Sequence, residues 1–212
     1  MIKAIFWDND GVLVDTEKLY YRANKAIFSN IGIILTEEMY IENFLNRSHG
    51  TWHLALGKGL KDDEINQLRK ERNKLYAELI KAEMKVINGA EETLKELYGK
   101  FLMGIVTSSR RDHFEIIHSR TNLLKYFDFT LTSDDFRFPK PDPEPYLKAL
   151  ETSGLKSEEC IVVEDSHRGL VSALKAGLKC YIIPTKLTEK SNFDGAEKIL
   201  LSVSDLPQEL LI

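Results

Sequence analysis

Apolar and polar positions divide the chain into three stretches of different rhythm. Residues 2–7 form an apolar, β-rich run, the pattern of a strand buried on both faces of a parallel sheet. The run stops abruptly at Asp8-Asn9-Asp10-Gly11. Residues 17–85 then carry helical periodicities only. One helix is predicted over 18–31, with Leu19, Ala23, Ala26 and Ile27 on a common face and Gly32 placed to end it. Thr36 is set to cap a second. Residues 46–50 read as a loop or a helix entry. A long helix from 61 to about 85 is expected to bury a stripe of Ile65, Leu68, Leu75 and Leu79 and to present charge elsewhere.

From residue 86 onward strand and helix patterns alternate. Strands are predicted over 101–106, 127–132, 160–163 and 179–183, and helices over 90–98, 111–119, 143–152 and 167–176. This alternation predicts an α/β fold with a parallel sheet. A lone opening strand cannot bury itself, so it belongs to the same sheet. The expected organisation is a core of residues 1–15 and 86–212, with a helical unit, 16–85, inserted after the first strand. The junctions fall at Asp15-Thr16 and near the Asn88-Gly89 turn.

Composition narrows the function. With 43% apolar and 29% charged residues, the 212-residue chain is built to fold rather than to stay disordered. A net charge of −4 builds no basic face, so nucleic acid is not an expected partner. No apolar run approaches a membrane span. Cys160 and Cys180 have neither metal-knuckle nor redox-pair spacing; buried thiols fit a reducing compartment. The first strand begins at once, so no signal peptide is expected and a cytoplasmic location is the default.

Three predicted strand ends carry polar clusters: Asp8/Asp10, Thr107/Ser108/Ser109 and Glu164/Asp165. A lysine fixed between prolines, Pro139-Lys140-Pro141, is a fourth feature. Parallel strands bring their carboxyl ends to one edge, where ligands bind in such sheets. Asp8, Asp10, Glu164 and Asp165 together call for a hard divalent cation, and Mg2+ suits such an oxygen site beside a phosphate. The Thr107 hydroxyl and the Lys140 ammonium are suitable donors to phosphate oxygens. Helix capping by Thr107 or Ser108 is compatible with that role.

These residues also carry a resemblance. Asp8-Asn9-Asp10-Gly11-Val12-Leu13-Val14-Asp15-Thr16-Glu17 is similar to the opening motif of the haloacid dehalogenase superfamily. Val106-Thr107-Ser108, Lys140-Pro141-Asp142-Pro143 and Val162-Val163-Glu164-Asp165-Ser166 resemble its other motifs, in order. The inserted helices resemble its α-helical cap, in the group of β-phosphoglucomutases and phosphoglycolate-type phosphatases. The resemblance implies a Rossmann-like three-layer core under that cap. It implies Asp8 as nucleophile, Asp10 as general acid and base, and Thr107, Ser108 and Lys140 as phosphate-binding residues. It implies Mg2+ held by Asp8, the Asp10 backbone carbonyl, Glu164 and Asp165.

An acid at Asp10 separates the chain from true haloacid dehalogenases and from phosphonatases, which depart there. The expected activity is a Mg2+-dependent phosphatase of small sugar or organic-acid phosphates, acting as a monomer or weak dimer. Two alternatives remain at this point: a phosphomutase of the β-phosphoglucomutase type and a non-catalytic sugar-phosphate-binding module. Mutases carry a histidine where this chain has Tyr20, and their cap loop differs from Asn46-Arg47-Ser48-His49. Tyr20, Arg47 and His49 are the cap residues expected near substrate. Arg110 and Arg111 stand near the crevice edge as steering groups or as solvated charge.

Overall fold

The computed structural model describes residues 1–47 and 50–211. Six parallel strands form one sheet in the order β3-β2-β1-β4-β5-β6. The strands are β1 (Ala4–Trp7), β2 (Leu102–Val106), β3 (Phe129–Leu131), β4 (Cys160–Glu164), β5 (Lys179–Ile182) and β6 (Lys198–Ile199). After β3 the chain crosses back to lay β4 on the other side of β1. The direction of winding therefore reverses beside β1, which places a crevice outside its carboxyl end.

Alternation along the strands feeds two apolar layers. Ile5, Trp7, Met103, Ile105, Ile161 and Val163 face one side, where they pack with residues of α5 (Ala90–Leu97), α6 (Arg111–His118) and α9 (Leu206–Leu210). Ala4, Phe6, Cys160, Val162, Cys180 and Ile182 face the other, against α7 (Glu144–Ser153) and α8 (His167–Lys175). Helix–sheet–helix layering follows from strands buried on both faces. Both cysteines are free and buried.

Between β1 and β2 lie α1 (Glu17–Asn30), α2 (Glu37–Tyr40), a π-helical segment (Ile41–Asn46), α3 (Trp52–Gly57) and α4 (Asp62–Glu83). The Thr36 side chain accepts from the Met39 N–H and caps α2 as its residue type requires. These helices have a cluster of their own around Phe28, Tyr40, Phe44 and Trp52. A smaller one joins them to the sheet unit through Val14, Tyr76, Ile80 and Ile117. No helix among the described residues is long and apolar enough to cross a membrane.

Several elements differ from expectation. Helix α3, the two-residue strand β6 and α9 are too short to show a periodicity. On α4 the buried positions are Ile65, Arg72, Tyr76 and Ile80, while Leu68, Leu75 and Leu79 are half-buried. The buried stripe lies one position around the helix from the leucines, and it carries an arginine inward. Strand β4 extends to Glu164, one residue beyond the predicted end.

Candidate active site

Asp8 follows β1 directly, and its N–H still donates to Val163 O at 2.9 Å, continuing the ladder toward β4. The backbone then turns back on itself. Gly11 sits at φ +88°, and a Cβ there would lie 2.2 Å from Asp165 Oδ2. Glycine thus serves two ends, a left-handed backbone and a close approach to a carboxylate. Gly169, in the first turn of α8, plays the second role for Glu164: a Cβ would lie 1.9 Å from Glu164 Cδ.

Four segments converge on one crevice. The Lys140 ammonium is 2% exposed and donates to Asp8 Oδ1 at 2.7 Å, Glu164 Oε1 at 2.6 Å and Val106 O at 2.7 Å. Its three protons are thereby engaged. Glu164 also accepts from Tyr146 Oη at 2.8 Å and from Ser166 Oγ at 3.2 Å. Asp10 is surrounded by a different set. Its carboxylate accepts from Thr16 Oγ1, from Thr107 Oγ1 at 3.1 Å, from Ser109 Oγ at 2.7 Å and from Asn9 Nδ2 at 3.3 Å. Two aspartates one residue apart are therefore held in opposite ways, one by a cation and one by hydroxyls.

The electrostatics follow. Burial, then the Glu164 charge, push the Asp8 carboxyl up to about 7 against the opposing pull of Lys140. Burial, and the charges of Glu164 and Asp8, raise Asp165 well above the ordinary carboxylate range. Burial pulls the Lys140 ammonium down, but Asp8 and Glu164 more than offset it and its pKa lies above the ordinary lysine value. His118, whose Nε2 lies 2.9 Å from Asn9 Oδ1, is depressed to about 4 by burial, with Asp10 opposing.

Carboxylate oxygens of Asp8, Glu164 and Asp165 lie within 4.8 Å of one another, and all three residues are buried. Asp165 Oδ2 is buried without a hydrogen-bond partner among the described residues. A buried carboxylate oxygen with no donor is costly, and a cation removes that cost. The donor set, oxygen only and anionic, fits a hard divalent cation. The Asp10 carboxylate stands outside this cluster, committed to its hydroxyls.

The cavity over these groups is lined by Asp8, Asp10, Thr107, Ser108, Lys140 and Glu164, together with Glu17, Tyr20, Asn73, Tyr76, Arg110, His113 and Arg168 among others. Ser108 Oγ is buried and without a partner among the described residues. Tyr20 is in the wall, edge-on to Phe44 and Tyr76. Arg47 is not among the residues that line this cavity and pairs with Glu42 at 2.6 Å. His49 lies outside the described residues. Arg110 reaches the cavity while paired with Asp112, and Arg111 pairs with Asp135.

Sequence reasoning missed several residues. Thr16 is expected at a junction and Ser109 in a strand-end polar cluster, and neither is expected to donate to Asp10, as both do. Glu17 and Arg168, paired at 3.6 Å, gave no pattern because their closeness is created by folding.

A parallel α/β sheet with an acidic, lysine-bridged crevice at its switch point defines a phosphoryl-handling class of site. Residues 5–183 match the haloacid dehalogenase-like hydrolase family, and the chain belongs to it. It is 32% identical to YhcW of Bacillus subtilis, over 100% of this chain and 97% of that one. It is 31% identical to the phosphorylated carbohydrates phosphatase of Thermotoga maritima, over 84% of this chain and 83% of that one. The fold matches the crystal structure of CbbY from Rhodobacter sphaeroides in complex with phosphate, with a TM-score of 0.81 at 24% identity over 97% of this chain and 96% of that one.

Proposed function

We propose that the protein is a Mg2+-dependent phosphatase of small phosphate monoesters, acting through an aspartyl-phosphate at Asp8. The observation that carries this reading is the opposite setting of Asp8 and Asp10. Asp8 faces Lys140 and the acidic cluster, while Asp10 is held by the hydroxyls of Thr16, Thr107 and Ser109. The relative named for phosphorylated carbohydrates supports sugar phosphates as the substrate class.

In this reading an Asp8 oxygen attacks phosphorus, the bond to the ester oxygen breaks, and Asp10 gives its proton to the leaving oxygen. Water then attacks the aspartyl-phosphate, Asp10 takes its proton, and the bond from phosphorus to Asp8 breaks. Ser108 Oγ, without a partner among the described residues, is the hydroxyl ready to donate to a phosphoryl oxygen. Thr107 and Lys140 join it by exchanging a bond to Asp10 and to Asp8 for one to the phosphoryl group. Asp8, Asp165 and Glu164, with the Asp10 carbonyl, would hold Mg2+, which would supply charge neutralisation at the phosphoryl group. Residues 16–85 act as a cap over the core of 1–15 and 86–212. Tyr20, Asn73 and Tyr76 from its helices line the same cavity as the aspartates, which supports that role. Closing such a cap excludes bulk water.

The test is hydrolysis of p-nitrophenyl phosphate with Mg2+ and with EDTA. Metal-dependent release of p-nitrophenol is expected. Absence of release at saturating Mg2+ contradicts the phosphatase and favours a binding module.

A further inference from the structure

A second cavity, about 270 Å³, adjoins the Asp8 site and shares Tyr20, Ser108 and Arg168 with it. The two differ in charge. The inner site gathers Asp8, Asp10, Glu17 and Glu164. The outer one is lined by Arg69, Arg72 and Arg168 and has no carboxylate in its wall among the described residues.

Arg72 is only 8% exposed. Its Nε donates to Asn73 Oδ1 at 2.8 Å and its Nη1 to Asn24 Oδ1 at 3.0 Å. The guanidinium lies 4.7 Å from the Tyr20 ring centroid and 6.0 Å from that of Trp52. Two amides and two rings thus hold it in place, yet it has no ion pair among the described residues. Arg69 lies 5.3 Å from the same Trp52 ring and donates to Asn66 at 3.1 Å, again without an acidic partner among them. Two other cations are differently placed: buried Lys140 pairs with Asp8 and Glu164, and half-buried Arg168 with Glu17.

Buried charges are ordinarily paired. Arg72 is fixed before any ligand arrives, and its Nη2 makes no hydrogen bond among the described residues. We propose that Arg72, with Arg69 at the rim, receives a second anionic group of the substrate, a carboxylate or a phosphate carried on the leaving-group side of the ester. This rests on the phosphatase reading above. It makes Arg72 a specificity-determining residue. A neutral-tailed ester leaves a desolvated guanidinium unpaired, and such a mismatch discriminates strongly between otherwise similar substrates.

Matched pairs test it, with p-nitrophenyl phosphate as the control for chemistry. One pair is 3-phosphoglycerate against glycerol 3-phosphate, the other fructose 1,6-bisphosphate against fructose 6-phosphate. The anionic-tailed member of at least one pair is expected to have the higher kcat/KM, by about tenfold or more. Preference in the first pair identifies a carboxylate, in the second a phosphate. Arg72→Gln should bring the ratio toward equality, mainly through KM, and Arg72→Lys should restore part of it. If Arg72→Gln does not fold, Arg69→Glu on the exposed surface must depress the anionic-tailed member more than the neutral one. Hydrolysis of p-nitrophenyl phosphate with no preference in either pair overturns this proposal alone. So does a preference that survives the substitution. No hydrolysis of any ester overturns the phosphatase reading with it.

Discussion

The Lys140 ammonium lies 2.7 Å from Asp8 Oδ1, buried where water cannot screen either charge. It also holds Glu164 at 2.6 Å, so one cation keeps two carboxylates compatible. Lys140→Met leaves both carboxylates without that partner. Removing one member of a buried ion pair costs about 3–5 kcal/mol. Urea denaturation of the variant should show a loss of that order, accompanied by loss of turnover. Unchanged stability contradicts the bridging role.

The proposed mechanism gives the proton transfer to Asp10, whose carboxylate accepts from the hydroxyls of Thr16, Thr107 and Ser109. Asp10→Asn keeps an acceptor for Ser109 and Thr107 but cannot deliver a proton. It should fold normally and lose about 10²–10⁴-fold in kcat, the usual contribution of general acid–base help. Steady-state kinetics with a poor leaving group check this, since an alcohol needs protonation more than p-nitrophenolate does. An equal loss for both leaving groups contradicts the assignment.

The Asp8 shift predicts a pH-dependent response to cation. Without metal its folded pKa of about 7 lies above the ordinary 3.8, so between those values the folded state holds a proton the unfolded state lacks. That contribution is fully present below the lower value and is lost as pH rises through the upper one. Asp165 acts in the same direction. A divalent cation competes with these protons, so the rise in Tm on adding Mg2+ should be larger at pH 7.5 than at pH 5.5. His118, depressed to about 4 from 6.5, works with the opposite sign as pH falls through that window. Comparing each pH with and without Mg2+ cancels its contribution. A Tm shift independent of pH contradicts proton–metal competition.

Gly169 gives a steric test of the same cluster. A methyl group there meets Glu164 Cδ at 1.9 Å and both carboxylate oxygens at 2.1 Å. Overpacking of this kind costs about 1–3 kcal/mol. Gly169→Ala should lower stability by that order and weaken the Mg2+-dependent rise in Tm. A variant with normal stability and a normal Mg2+ response shows that Glu164 is free to move aside.

Most of the architecture was legible because strands buried on both faces leave continuous apolar runs. The acids and hydroxyls at three strand ends could be read as one site for the same reason: parallel strands share an edge. What escaped has a common cause too. Thr16, Ser109 and Arg168 act through neighbours brought close only by folding. Arg72 was hidden among the charges of α4 because the leucine pattern pointed one position around the helix from the face that is buried. Strand β6 and helices α3 and α9 were too short to display any period.

The central claim is that Asp8 takes the phosphoryl group. Mixing the protein with 32P-labelled substrate and Mg2+, quenching in acid within the first turnover, and mapping the labelled peptide tests it directly. The account predicts acid-stable, hydroxylamine-labile label on the peptide containing Asp8, and none in Asp8→Asn. Label on another residue, or undiminished turnover by Asp8→Asn, contradicts it.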